Sequence, residues 1–381
     1  MLLLRPRFWM CLVVCLSSSF VIASDDNELN KLMSQIGTDM VGLYPIVVSA
    51  DLPGEKDKAQ IRNKTASLLE AFRKAGPFFG EKSKTYKLSY SLILDYLENT
   101  QRAIDGNKWQ SVTLRLSSLG EICTSCHTQD TKLRSLYAGT GRGAFPNDLA
   151  YAEFNYFTRN YMQAERFYAR FLENAGKQDD VGILLVFQRL ITIYAQIYNL
   201  PGDGADKLQA FLLKLEGKGV KTEPLVPLVF GMKNLQKSGL SKVDDVDFSD
   251  LKKYVRKYLG PLDGPLSSFI VRPEEEVERV WLRGLLFHYL NRQPSNDEIP
   301  QILFWLSVTD RSLNYNYFYS LADMYLKECV YSYKEHPYAE KCYDEYREYM
   351  LFSYTGSAGE FLPPEVESEL KDLRERIDAK D

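Results

Sequence analysis

Leu29-Asn30-Lys31-Leu32-Met33-Ser34-Gln35-Ile36-Gly37-Thr38-Asp39-Met40-Val41-Gly42-Leu43-Tyr44-Pro45-Ile46-Val47 is the stretch that decides how this chain folds. Its apolar residues Leu29, Met33, Ile36, Met40, Leu43 and Val47 are spaced 4-3-4-3-4. That spacing draws one stripe along a helix, the buried seam of a bundle. Pro45 and the turn Leu52-Pro53-Gly54 end it. Three more seams follow: Ile61, Thr65, Leu68 and Phe72, stopped at Gly76-Pro77; Tyr90, Ile93, Leu97 and Ile104, starting from about Tyr86; and, after Asp105-Gly106-Asn107, Trp109, Val112, Leu116, Leu119, Cys123 and Cys126. Short links between four amphipathic helices predict an antiparallel up-down-up-down bundle over residues 24–137. The start of the first helix then lies beside the end of the fourth.

The fourth helix runs into Glu121-Ile122-Cys123-Thr124-Ser125-Cys126-His127-Thr128, a C-x-x-C-H run. Two cysteines at i and i+3 can each form a thioether to a haem vinyl group, and the next histidine supplies an axial nitrogen to the iron. Thiol redox chemistry would put C-x-x-C at a strand-to-helix junction, and structural zinc would need a second ligand pair. Neither context is present, so a single covalent haem c is the expectation, with a redox thiol pair and incidental cysteines as the alternatives. Beyond the first 23 residues the cysteines are Cys123, Cys126, Cys329 and Cys342, and the chain's histidines are His127, His288 and His336.

Depth along the bundle selects a sixth ligand. His127 lies about 12 Å from a helix end near Ser135, and Met33 about 10 Å inside the first helix from the same end of the bundle; Met40 lies two turns deeper. Met33 is therefore expected to face the iron opposite His127. The alternative is an ordinary core methionine, which would leave a five-coordinate haem with an apolar distal face.

The stretch Lys31 to Met40 together with C-x-x-C-H late in its domain resembles the class II c-type cytochromes, the cytochrome c prime group and its low-spin, methionine-ligated relatives. The resemblance covers about the first third of the chain. It implies a four-helix haem bundle, an electron carrier, and an axial methionine at the position of Met33. The group commonly pairs through its bundle, which implies a homodimer. The family usually follows its histidine closely with an aromatic and a basic residue, whereas here Thr128-Gln129-Asp130 precede Lys132 and Arg134.

Met1 to Arg7 carries two arginines, an apolar run follows from Phe8 to Ala23, and Asp25-Asp26 come next. This is the pattern of a secretory signal peptide over residues 1–23. A membrane anchor fits less well, because the run is short and contains Ser17 to Ser19; lipoprotein processing at Cys15 has a poor approach in Leu12-Val13-Val14. Export implies an oxidising compartment, the bacterial periplasm for a protein of this kind, and no stable membrane span once the signal is removed. Of 47 Lys and Arg, only Arg5 and Arg7 fall in the signal, so 45 remain against 51 Asp and Glu. Such a mildly acidic surface gives no case for nucleic acid.

Tyr137-Ala138-Gly139-Thr140-Gly141-Arg142-Gly143 reads as a connector, with a linker over 138–147 and a second domain over 148–381. Aromatic residues are abundant, with 25 Tyr and 20 Phe. Ala152 and Ala164 sit at helix-crossing positions, with Tyr168 four residues later, which resembles a tetratricopeptide helix-turn-helix unit. A second pair is expected over about 181–215, turning at Leu200-Pro201-Gly202-Asp203-Gly204, and a third turns at His336-Pro337. Residues 223–265 are too rich in Pro and Gly to assign. The expected whole is all-α, a four-helix haem bundle followed by an irregular TPR-like α-solenoid; a compact all-α domain without repeats is the alternative.

In the last hairpin, Cys329 and Cys342 lie level across the Pro337 turn and are expected to form a disulfide. Glu274-Glu275-Glu276 after Pro273 reads as an acidic first helical turn. His288, in an apolar run, reads as a core histidine, and the charged helix from Pro363-Pro364-Glu365 as a solvated cap. No nucleophile-base pair or phosphate loop is evident. The expected function is electron transfer through a His/Met-ligated haem, not enzymatic chemistry, with the helical repeats docking a redox protein partner. A five-coordinate, gas-binding sensor or carrier is the alternative.

Overall fold

The computed structural model describes residues 10–47, 52–79, 84–126, 140–238, 243–260, 271–292, 294–313, 321–354, 359 and 361–379. Among the described residues the chain is all-α, with fifteen helices and no strand. It divides into two compact units, Met1–Pro146 and Asn147–Asp381.

The first unit holds α1 (Met10–Val47), α2 (Glu55–Phe79), α3 (Lys84–Asp105) and α4 (Trp109–Cys126). Consecutive helices pack on one another and α1 packs on α4, closing the set into a small bundle. The four seams meet inside it: Ile36, Met40, Leu43, Ile61, Leu68, Phe72, Ile93, Leu97, Ile104, Val112, Leu116 and Leu119 are all buried. α1 runs unbroken across Ala23. α1 and α2 continue two residues past Pro45 and Pro77 before ending, because a proline removes a helical hydrogen bond and crowds the preceding turn. Between α3 and α4, Asn107 takes a positive φ of 54° and the Lys108 amide donates to the Ala103 carbonyl. This reversal lets the next helix start within three residues.

Among its described residues the second unit is a succession of eleven helices: α5 (Asp148–Phe157), α6 (Tyr161–Asn174), α7 (Asp180–Ile191), α8 (Pro201–Gly217), α9 (Val226–Lys237), α10 (Phe248–Tyr258), α11 (Pro273–Asn291), α12 (Ile299–Arg311), α13 (Ala322–Ser332), α14 (Pro337–Tyr354) and α15 (Pro364–Asp378). Extensive packing runs mainly between helices one or two places apart in the chain. Ala152, Ala164 and Tyr168 are buried at the α5–α6 crossing. α7 passes into a π-helical turn, Thr192–Ile197, which packs on α11. There the Asn199 side chain accepts from the Trp281 indole at 2.9 Å.

Several local expectations need correction. The turn expected at Leu200 to Gly204 is narrower, since Pro201 already opens α8; proline suits a first helical position, where its missing N–H has no partner to lose. The stretch over 223–265 contains α9 and α10, whose seams (Leu228, Met232 and Leu235; Leu251 and Val255) are buried between the Pro- and Gly-rich links. α15 is not merely a solvated cap: Leu370, Leu373 and Ile377 are buried against α13 and α14. The Lys177–Ile197 stretch is long and apolar enough to cross a membrane, and most of it is buried inside the second unit. Cys329 and Cys342 are bonded, with Cα atoms 6.3 Å apart and neither side chain exposed.

Candidate functional site

Cys123 and Cys126 of the C-x-x-C-H run fall in the last turns of α4. Positions 123 and 126 continue the stripe of Val112, Leu116 and Leu119, one helical turn apart and on the same face as those buried residues. His127 lies outside the described residues, as do the Ser135 region and the start of the predicted linker; of Cys123 and Cys126 only the backbone is described. Met33 is on α1, half-buried, whereas Met40 is fully buried. α1 and α4 are packed neighbours, so the two helices that carry the expected ligands adjoin.

Cross-helix contacts give the levels. Asp39 meets Lys64 and Ser67 across α1–α2, which puts Met33 near residue 71 of α2. Tyr96 donates to the Arg115 carbonyl at 2.9 Å across α3–α4, which puts Tyr90 near residue 121 of α4. Gly76 of α2 faces Tyr90 so closely that a Cβ there would lie 2.6 Å from the phenol oxygen. Leu29, Met33, Gly76, Tyr90 and the turn before Cys123 thus share one end of the bundle. Leu29, Met33, Gly76 and Tyr90 are each half-buried. At the other end the interior is closed by Leu43, Val47, Ile61 and Ile104, and Lys58 and Arg62 stack over Trp109 at 5.5 and 5.1 Å.

The donor set fits a covalent haem. Two thiols one turn apart could form the thioethers, and the following imidazole together with a thioether on the adjoining helix could ligate the iron. Among the described residues no three His, Cys, Asp or Glu side chains gather as a metal site. Comparison with protein-family models, with characterised proteins and with solved structures finds no match for this chain.

The other polar clusters are structural ties. In the second unit Arg189 donates to both oxygens of Glu153 at 3.2 and 3.0 Å, and the Tyr168 hydroxyl donates to the same carboxylate. Burial and the Glu153 charge push the Tyr168 phenol far above its ordinary value. Arg283 binds Asp310 at 2.6 Å, and Asp310 also accepts from the Leu321 amide. Glu274, Glu275 and Glu276 open α11, with Glu275 on Arg272. His288 is not a core histidine: its side chain is 40% exposed and its Nε2 lies 2.9 Å from Asp244, because α11 turns that face outward in its last turns. The polar group that periodicity alone passes over is Asp39, whose place beside the seam on α1 gave no signal of its partners on α2.

Proposed function

We propose that this chain is an exported, periplasmic monohaem c-type cytochrome that carries electrons. The observation that supports it most is that positions 123 and 126 of the C-x-x-C-H run continue the stripe of α4, on a helix packed against the one that carries Met33. Haem iron so ligated exchanges single electrons without making or breaking covalent bonds. Cys123 and Cys126 would fix the group to α4, and His127 would hold the proximal face. Met33 would supply the sulfur, a ligand that favours the reduced state and raises the potential. Ile36, Ile93 and Leu119, all buried, would keep water from the inner side and so disfavour charge on the iron.

The second unit is read as an irregular TPR-like solenoid that docks a redox protein partner. Its succession of neighbour-packed helices supports that role, since such stacks expose long surfaces suited to binding proteins. The test is a reduced-minus-oxidised spectrum of the mature protein and of Met33→Ala. A low-spin ferrous band pattern that disappears in the variant is expected. A high-spin wild-type spectrum with ready carbon monoxide binding would overturn electron transfer and leave the five-coordinate gas carrier instead.

A further inference from the structure

A carboxylate lies inside the α1–α2 packing, less than two turns from Met33. The Asp39 side chain is 7% exposed and takes three side-chain hydrogen bonds: from Ser67 Oγ at 2.6 Å, Gln35 Nε2 at 2.9 Å and Lys64 Nζ at 3.1 Å. Burial alone would raise its pKa, but those bonds and the Lys64 charge outweigh it and hold Asp39 below the ordinary carboxylate range, ionised. Gly42 makes room for the lysine. A Cβ at Gly42 would lie 2.5 Å from Lys64 Cε, and the Gly42 carbonyl accepts from Gln60 at 3.1 Å.

An apolar seam alone sets a helix's height and rotation weakly. Ile36, Met40 and Leu43 are of similar bulk, and a slip by one residue would move α1 about 1.5 Å and turn it by about 100°. That turn would carry Met33 off the line of Ile36, Met40 and Leu43, the buried side of α1. A buried polar contact with fixed partners excludes such slips, which is the best-attested use of buried polar groups in helix packing. Asp39 is six residues past Met33 and about 120° around the helix from it, on the α2 side. It therefore locks the rotation of α1 from a side of the helix other than the one that carries Met33.

We propose that Asp39, held by Lys64 and Ser67 of α2 and steadied by Gln35 of its own helix, is a positioning residue for Met33: it fixes α1 at the one height and rotation that bring the sulfur to the iron. This rests on the haem reading given above. Gly42 belongs to the same device, because a side chain there would displace Lys64.

The test uses the full chain matured with haem, comparing wild type, Asp39→Asn, Asp39→Ala and Ile104→Val. The last is a buried change at the far end that matches lost stability without touching the clamp. The readouts are the near-infrared methionine-to-iron charge-transfer band of the oxidised protein, carbon monoxide binding by the reduced protein, the midpoint potential and the melting temperature. In Asp39→Ala the charge-transfer band is expected to fall in a majority of molecules, with carbon monoxide binding gained and the potential lowered. Asp39→Asn should show the same changes in smaller measure, and Ile104→Val should keep the wild-type band and potential. If both Asp39 variants keep the wild-type band and potential, whatever their melting temperatures, the positioning role is wrong while the haem reading stands. A wild-type protein without covalent haem, or with haem but without the charge-transfer band, overturns this role together with the Met33 ligation it serves.

Discussion

Removing the bridge between α13 and α14 has a cost that can be worked out in advance. Cys329 and Cys342 are 13 residues apart in sequence, and closing a loop of that size restricts the unfolded chain by about 3 kcal/mol on the chain-entropy model. For a unit the size of the second one, each kcal/mol shifts the melting temperature by about 2–4 °C, so a Cys329→Ala, Cys342→Ala double variant should melt about 6–12 °C lower. Both side chains are fully buried, so a mild reductant should leave the native protein bridged and act only as the unit unfolds. Fluorescence isolates the event, because Trp281 and Trp305 are buried in this unit while Trp109 belongs to the other. A double variant that melts with the wild type would show that the bridge adds no stability. Two titratable thiols from residues 329 and 342 in unreduced, unfolded protein would show that it does not form.

Three further outcomes follow from close approaches and charge. Gly231→Ala should destabilise the second unit by about 1–3 kcal/mol, since its Cβ would lie 2.7 Å from the Glu274 carbonyl and 2.9 Å from Val277 where α9 crosses α11. Gly217→Ala, with nothing within 4 Å, should be neutral or stabilising by up to about 1 kcal/mol in the same chemical melt. Burial is outweighed by the bonds from Ser67, Gln35 and Lys64, which hold the folded Asp39 below the ordinary carboxylate range. Its contribution is therefore complete above the unfolded value of about 4 and lost as pH falls through the lower folded value. An acid titration of the first unit followed by circular dichroism should lose a step in Asp39→Asn.

The helices of the first unit were legible because each buries a single stripe, and the period of Ile36, Met40 and Leu43 or of Val112, Leu116 and Leu119 reports that burial directly. The second unit was less so. α11 is buried on nearly every side, with Val277, Val280, Trp281, Leu282 and Leu285 all inside, so it shows no clean period. α9 and α10 hide between links whose glycines and prolines dominate the local composition. The disulfide could be placed from the turn at Pro337 alone. Asp39 and its partners could not, because Lys64 and Ser67 lie on another helix and a charged residue near a seam looks like an ordinary surface residue. Gly42 and Gly76 carry meaning only once Lys64 and Tyr90 are seen lying against them.

Whether Cys123 and Cys126 hold a haem on α4 is decided by mass spectrometry of the purified protein. Protein made in cells able to mature c-type cytochromes is digested with trypsin, and the peptide from Leu116 to Lys132 is examined. This peptide is expected to carry the mass of one haem joined through both cysteines. The same peptide bearing two free thiols, or an internal Cys123–Cys126 disulfide, would contradict it.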